Sequence, residues 1–166
     1  MTIKLSFRQA KTHIMKKSIM LMALLLIGSW SYAQEKSAIK WYSFEEATAL
    51  SEENPKMLIV DVYTDWCGWC KKMDKETFTD DRVISYLNEN FYAVKLDAEN
   101  SKETFDFKGE EYTEASMARA MRVTSYPNFV IIDATMENIT QLPGYRKPDA
   151  FISDLKATLQ RFTGEE

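Results

Sequence analysis

The chain has 166 residues, of which 45% are hydrophobic, and its formal net charge is −4. This length predicts one domain that is long enough to bury one ordinary core. All 25 acidic residues follow residue 33, and the part of the chain after that residue has a net charge of −9. An acidic balance of this size disfavours nucleic acid and anionic membrane surfaces as partners.

The start of the chain has the pattern of a secretory signal peptide. Lys16 and Lys17 precede an apolar run of nine residues, Ile19 to Ile27. A membrane-spanning helix needs about 20 residues, so this run is too short for one. Small residues, Ser31 and Ala33, then stand three positions and one position before a cleavage site. These features predict export.

The predicted organisation is an N-terminal extension with a signal peptide over residues 1–33 and a single domain over residues 34–166. The signal itself is expected at about 15–33, with cleavage after Ala33. We expect the released domain in the periplasm of a bacterium, which is an oxidising compartment. An uncleaved anchor helix is the alternative, and initiation at Met15 instead of the first residue stays open.

Helices and strands alternate in the first half of the predicted domain. The sequence Ser43-Phe44-Glu45-Glu46 has the spacing of a capping box and predicts a helix that ends near Glu53. The apolar run Met57–Tyr63 predicts a buried strand. The further elements predicted in this half are a helix from Cys67 through Lys75, a helical stretch over Val83–Asn88 capped by residues 79–81, and a strand over Phe91–Leu96.

The second half is predicted to contain an irregular excursion, a hairpin and a final helix. Residues 99–113 are polar with three interleaved aromatic residues, which we expect to pin a long loop rather than to form a recognition flap. These aromatics are Phe105, Phe107 and Tyr112. The other predicted elements are a helix over Thr113–Met121, a strand over Asn128–Asp133, an edge strand over Ile139–Leu142, and a helix over Asp149–Phe162 after Pro148. This order predicts an α/β fold, with a central mixed sheet and helices on both faces.

The stretch Trp66-Cys67-Gly68-Trp69-Cys70 holds the only two cysteines of the chain. It lies where a predicted strand meets the start of a predicted helix. Unpaired N–H groups and the helix dipole lower the pKa of a thiol at that place, so Cys67 is the candidate nucleophile. Cys70 is close enough to close a disulfide, and it is the candidate resolving thiol. The pair would switch between dithiol and disulfide, a change of two electrons.

A structural disulfide and a metal site are the alternatives for this pair. A bond between residues three apart constrains little loop entropy, so a purely structural role has a weak rationale. A zinc ion would need two more soft ligands, and the only histidine, His13, precedes the predicted signal core. A cluster shared across a dimer stays possible. We therefore expect a redox pair with no metal and no bound cofactor.

Taken together, these features resemble the thioredoxin family over residues 41–162. The resemblance rests on the strand that leads into Trp66 and the Cys-x-x-Cys helix, and on Asp61 six residues before Cys67. It also rests on Tyr126-Pro127 before a second apolar strand. The resemblance implies a thioredoxin-like fold and thiol–disulfide exchange with protein substrates.

Within this family the chain is similar to exported bacterial thiol reductants. The runs Tyr63–Cys67 and Thr77–Asp80 resemble the periplasmic C-terminal domain of the membrane reductase that regenerates periplasmic thiols. This similarity implies that electrons flow toward substrate disulfides. The Gly68-Trp69 dipeptide differs from the Gly-Pro of typical thioredoxins, and this difference bears on the reduction potential and on the direction of electron flow.

The resemblance implies roles for two charged residues. In thioredoxins, the acid that matches Asp61 accepts the proton of the resolving thiol through water, and the lysine that resembles Lys95 pairs with that acid. A carboxylate in an apolar strand is unfavourable to bury unless it is paired or functional, and burial raises its pKa. The alternatives are an Asp61 side chain that reaches solvent at the end of the sheet and a Lys95 side chain that extends into water.

The resemblance also implies a substrate-binding edge beside the cysteines. It implies a cis bond before Pro127 and a Tyr126 backbone that offers hydrogen bonds to an extended substrate strand. Local physics alone leaves cis and trans open. Trp66 and Trp69 are candidates for an apolar rim around the substrate, and ordinary packing is the alternative for both.

We therefore expect an exported enzyme, a protein disulfide oxidoreductase in which reduction is favoured. Its catalytic residues would be Cys67, Cys70 and Asp61. Its partners would be disulfide-bearing protein substrates and an upstream dithiol electron donor, and the protein would be a monomer. A disulfide oxidase or isomerase on the same fold is one alternative, and a non-catalytic module that binds extended peptides is the other.

Overall fold

A five-stranded sheet organises residues 38–164, which are the residues that the computed structural model describes. The predicted signal peptide, its cleavage site and the boundary between residues 33 and 34 lie outside them. The sheet has the order β1-β3-β2-β6-β7, and β4 and β5 form a separate hairpin. The strands are β1 (Trp41–Tyr42), β2 (Met57–Tyr63), β3 (Phe91–Asp97), β4 (Thr104–Phe107), β5 (Glu110–Thr113), β6 (Asn128–Ile132) and β7 (Ile139–Pro143).

The sheet is mixed, as the sequence predicts. Strands β1 and β2 run parallel to β3, whereas β6 runs antiparallel to both β2 and β7. The central strand β2 is therefore paired on both sides, and the register places Asp61 opposite Lys95 on β3 and opposite Phe129 on β6. Pattern analysis does not predict β1, because a strand of two residues shows no periodicity.

The helices cover both faces of the sheet. They are α1 (Phe44–Glu53), α2 (Gly68–Lys72), a π-helix (Met73–Thr77), α3 (Asp81–Asn90), α4 (Glu114–Ala120) and α5 (Pro148–Thr163). The capping box predicted at Ser43 is confirmed, because Ser43 Oγ accepts from the Glu46 N–H at 3.1 Å and the Ser43 N–H donates to Glu46 Oε2 at 2.9 Å. Among residues 38–164, no helix combines the length and the apolar character that a bilayer span requires.

Strand β2 supplies side chains to two separate cores. Leu58, Val60 and Val62 pack on the face covered by α1 and α4. Ile59 packs on the other face, among aromatic and aliphatic groups of the π-helix, α3 and α5. Because side chains alternate along a strand, Asp61 points to the same face as Ile59. The strand thus delivers a carboxylate into an apolar layer.

The prediction of an irregular excursion over residues 99–113 is wrong in part, because this segment contains the β4–β5 hairpin. The turn is made by Lys108 and Gly109, whose φ angles are 56° and 80°. Two successive positive φ values match the right-handed twist of a hairpin. In the sequence, only the glycine indicates such a turn. The predicted pinning role is confirmed, since the Phe44 ring lies 5.2 Å from both the Phe105 and the Phe107 ring.

The prediction of one regular helix from the cysteines onward is also wrong in form, because the π-helix follows α2. The Phe78 N–H donates to the Met73 carbonyl at 2.9 Å, five residues back. Both ends of this turn contact the backbone of Arg146. Thr77 Oγ1 donates to the Arg146 carbonyl at 2.6 Å, and the Arg146 N–H donates to Met73 Sδ at 3.4 Å. A partner this far along the chain leaves no local signal.

Replacing Ser43 with alanine is expected to lower the free energy of unfolding by about 1 kcal/mol, because the Glu46 N–H loses its acceptor. Urea unfolding followed by circular dichroism measures the change. Ser85→Ala is the matched control, since Ser85 is exposed within α3 and its loss should change stability by less than about 0.5 kcal/mol. Equal values for the two variants would contradict the capping role.

Candidate active site

The site begins with a disulfide at the start of α2. Cys67 and Cys70 are bonded, with their Cα atoms 5.3 Å apart. Cys67 is the N-cap of α2, and the Cys70 N–H donates to Cys67 Sγ at 3.0 Å. The Lys71 N–H donates to the Cys67 carbonyl at 3.2 Å and continues the helix. The first sulfur therefore occupies the place that an N-cap oxygen usually takes.

Exposure does not distinguish the two cysteines in this disulfide form. The exposed fraction is 4% for Cys67 and 5% for Cys70. Both cysteines are therefore buried to the same degree in this oxidation state, in which each sulfur covers part of the other. The inequality between them is electrostatic, because Cys67 Sγ receives a backbone N–H and a thiolate gains more from such a contact than a thiol does.

Asp61 is buried, with an exposed fraction of 3%. Its Oδ1 has no hydrogen-bond partner among the described residues, and its Oδ2 lies 3.7 Å from Lys95 Nζ. Burial raises the pKa of Asp61 to about 7, which Lys95 opposes and Asp74 reinforces. The alternative of a solvated Asp61 side chain is therefore wrong, because the alternation of side chains along the strand points Asp61 into the apolar layer.

Lys95 is shared between two carboxylates. Its Nζ lies 2.6 Å from Asp74 Oδ1 and 5.0 Å from the centroid of the Tyr63 ring. The alternative, in which Lys95 simply extends into water, is therefore wrong, since both carboxylates hold its ammonium group. The closer partner is Asp74, so the charge of Asp61 is only partly compensated. Sequence reasoning missed Asp74, although it stands four residues after Cys70, a spacing that predicts the same helix face.

Trp66 forms one wall beside the disulfide. It is 66% exposed, its indole Nε1 donates to Glu99 Oε1 at 3.0 Å, and its ring lies edge-to-face with Tyr126 at 5.8 Å. The bond between Tyr126 and Pro127 is cis, as the resemblance implies. An indole this exposed is not part of either core of the described residues.

Trp69 forms a second wall with residues that the sequence reasoning missed. It is 57% exposed, and its ring lies 5.3 Å from the Tyr145 ring. Lys72 Nζ lies 5.3 Å from the Trp69 centroid and 5.0 Å from that of Tyr145, which are cation–π distances. Tyr145 stands in the loop between β7 and α5, far along the chain, and no sequence signal links it to the cysteines.

The arrangement supports reversible dithiol–disulfide chemistry. It combines a sulfur that receives a backbone N–H with a buried carboxylate whose pKa is raised to about 7. Among residues 38–164, no three His, Cys, Asp or Glu side chains lie close enough together to hold a metal ion.

A family model described as a thioredoxin-like domain matches residues 44–159. The chain belongs to this family. The match confirms the resemblance drawn from the sequence, and the mixed sheet with helices on both faces agrees with it. The Cys67–Cys70 disulfide lies within the matched residues.

Known proteins similar to the chain include a thiol:disulfide interchange protein, DsbD of Yersinia enterocolitica. It is 25% identical over 154 residues, which cover 83% of this chain and 25% of the relative, so the chain spans a quarter of that protein's length. A solved structure of a proposed disulphide-isomerase from Bacteroides thetaiotaomicron is 27% identical, with a TM-score of 0.60, and covers 76% of this chain and 97% of its own. The oxidised C-terminal domain of DsbD from Neisseria meningitidis shares the fold at 19% identity and a TM-score of 0.53, covering 71% of this chain and 98% of that domain.

Replacing Asp61 with asparagine is expected to stabilise the oxidised protein by up to about 4 kcal/mol at pH 8, since each pKa unit by which folding raises this carboxyl corresponds to about 1.4 kcal/mol. Lys95 is not left unpaired in the variant, because it keeps its closer partner, Asp74. The pKa of Asp61 is raised on folding to about 7, so the native state binds its proton more tightly than the unfolded chain does. The wild-type penalty is therefore full above pH 7 and fades as the pH falls toward 4.

The test is urea unfolding of both proteins at pH 4, 6 and 8. The stabilisation by Asp61→Asn should shrink with each step to lower pH. Asp106→Asn is the matched control, because Asp106 is exposed in the hairpin. A stabilisation that is the same at all three pH values would contradict a raised pKa for Asp61.

Proposed function

We propose that the chain is an exported enzyme that reduces protein disulfides through Cys67 and Cys70. The observation that carries this proposal is the disulfide at the start of α2, whose first sulfur accepts the Cys70 N–H at 3.0 Å. Family membership supports the same class of chemistry.

Reduction begins with the dithiol form of the protein. The thiolate of Cys67 attacks one sulfur of a substrate disulfide, so that a bond forms between Cys67 and that sulfur while the substrate disulfide breaks. The other substrate sulfur leaves as a thiolate and takes a proton. The Cys70 N–H stabilises the attacking thiolate, and the cleft between the Trp66 and Trp69 walls receives the substrate. The backbone of Tyr126 and Pro127 offers hydrogen bonds to an extended substrate strand.

Resolution of the mixed disulfide requires a base for the second thiol. The Asp61 carboxylate accepts the proton of Cys70, through water, and the Cys70 thiolate attacks Cys67 Sγ. The substrate leaves as its second thiol, and the protein is left as the Cys67–Cys70 disulfide, having given two electrons to the substrate. Because the pKa of Asp61 is about 7, this base is available above that pH. Lys95 and Asp74 support Asp61 by adjusting the pKa of its carboxyl group: Lys95 lowers this pKa and Asp74 raises it.

Turnover needs an external dithiol that reduces the Cys67–Cys70 bond again. The Yersinia relative is a thiol:disulfide interchange protein, which supports partners of this kind. The apolar run after Lys16 and Lys17 supports export to the periplasm, with a mature domain of residues 34–166 after cleavage at Ala33. We propose that this domain acts as a monomer without a bound cofactor.

Disulfide isomerisation is the second candidate, because a similar solved structure carries that proposed activity. The reduction potential of the Cys67–Cys70 pair distinguishes the two. A potential of about −270 mV is typical of a reductant, whereas isomerases and oxidases have potentials of about −180 and −120 mV. Equilibration with glutathione buffers, followed by thiol labelling and mass spectrometry, measures it. A value above about −200 mV would overturn the direction proposed here.

In the reduced protein, Cys67 is expected to react with iodoacetamide at pH 7 at least about tenfold faster than Cys70, because only Cys67 Sγ receives the helix N–H. Peptide mass spectrometry of timed samples measures both rates. Cys70→Ala should trap mixed disulfides with substrate proteins, since the resolving attack is lost. Equal alkylation rates would remove the assignment of Cys67 as nucleophile.

Insulin-disulfide reduction with dithiothreitol tests the enzyme class as a whole. The wild type should accelerate insulin precipitation, and Cys67→Ser should lower the rate to the uncatalysed value. Ser85→Ala, on the exposed face of α3, is the control that should keep the wild-type rate. A wild type that binds reduced insulin chains without accelerating the reaction would instead support the non-catalytic peptide-binding module.

A further inference from the structure

The two exposed tryptophans beside the disulfide have neighbours of opposite charge. Trp66 donates its indole N–H to Glu99 and follows Asp65, and both of these acids are exposed. Trp69 lies under the ammonium group of Lys72, and the preceding Lys71 is exposed as well. The Trp66 wall is thus flanked by acids and the Trp69 wall by bases.

The two walls lie toward opposite edges of the sheet. Trp66 reaches Glu99, which follows β3, whereas Trp69 reaches Tyr145, which follows β7. The strand order β1-β3-β2-β6-β7 puts β3 and β7 on opposite sides of β2. The disulfide follows β2 and therefore lies between the acidic wall and the basic wall.

The basic wall is held in place before any substrate arrives. Arg146 donates to the carbonyls of Pro143 and Gly144 at 2.7 and 2.8 Å, which fixes the loop that carries Tyr145. The Tyr145 hydroxyl donates to Glu76 Oε2 at 2.6 Å. Ordered loops lose less entropy on binding than mobile ones, so this wall is preorganised for contact.

Glu76 pairs only loosely with Lys72. The distance from Lys72 Nζ to Glu76 Oε1 is 3.9 Å, and both side chains are more than 40% exposed. An ion pair this long and this exposed contributes little. Glu76 already accepts the Tyr145 hydroxyl, and Lys72 keeps its two aromatic rings and an open side toward solvent.

We propose that this cleft selects its substrate by charge order. Its occupant is an extended, disulfide-bearing segment that carries a basic residue on the Trp66 side of the cysteine and an acidic residue on the Trp69 side. Glu99, Lys72 and Tyr145 are then specificity-determining residues. This inference rests on the proposed function, because it names the substrate class of the same reaction.

The expected preference is moderate and depends on salt. Exposed charge pairs are individually weak, so two of them, matched in one substrate and mismatched in the other, should change the rate by about fivefold. Because these pairs are exposed, the preference should fall toward unity at about 1 M salt, where the Debye length is about 3 Å.

The test uses two disulfide-linked homodimeric peptides of identical composition. In one peptide a lysine precedes and a glutamate follows the single cysteine, and in the other the order is reversed. Single-turnover reduction of each by the reduced protein is measured by rapid quench and mass spectrometry. The wild type should reduce one of the two peptides about fivefold faster than the other. Lys72→Glu combined with Glu99→Lys should favour the other peptide.

A matched control has the same charge exchange elsewhere. Lys156→Glu combined with Glu89→Lys changes two exposed residues of a cleft lined by Pro55 and Met57, at the start of β2. This variant should keep the wild-type preference. Because both rates are measured on the same protein, a general loss of activity in the test variant cannot by itself reverse the preference.

The outcomes separate this inference from the proposed function. Equal rates for the two peptides with the wild type, or an unchanged preference in the Lys72→Glu, Glu99→Lys variant, would overturn the charge-order inference while insulin reduction still stands. Failure to reduce insulin or either peptide would overturn the proposed function itself. Sedimentation of the wild type as a dimer that the same double variant abolishes would assign the cleft to a second copy of the chain and would also overturn the inference.

Discussion

The pairing of β2 on both sides is the constraint on which the rest of the site depends. This strand lies between β3 and β6, and its register with both neighbours decides which way each of its side chains points. One consequence is that Asp61 enters the apolar layer opposite Lys95. Another is that the chain leaves the sheet at Tyr63, four residues before Cys67, so the disulfide is presented at the start of a helix. A shift of one residue would turn Asp61 to the other face of the sheet.

The electrostatics of the site come from an incomplete compensation. Lys95 contacts two carboxylates, and its closer partner is Asp74 on the π-helix, not the buried Asp61. Burial therefore dominates the pKa of Asp61, which is raised to about 7. A fully paired carboxylate would stay ionised at low pH and would be a weak base for a thiol. A carboxylate that titrates near neutrality is better matched to proton transfer.

The contacts of the π-helix with Arg146 join the helix that carries Cys70 to the loop after β7. Met73 and Thr77 both contact the backbone of Arg146, and the guanidinium of the same residue holds the loop that presents Tyr145. The helix that carries Cys70 and the wall that faces Trp69 are thus parts of one hydrogen-bonded unit. This connection explains how Tyr145, which lies 76 residues after Trp69, comes to contact the Trp69 ring.

The amino-acid sequence alone determined the features that depend on neighbours in the chain. The capping box at Ser43, the buried strand Met57–Tyr63, the junction that leads into the cysteine pair, and the order of elements that predicts the mixed sheet are all local or periodic signals, and the structure reproduces them. Tertiary structure decided the rest, because it depends on partners that lie distant in sequence. The π-helix arises from contacts with Arg146, the sharing of Lys95 from the placement of Asp74 against β3, and the wall at Trp69 from Tyr145, a residue that only the folded chain brings there.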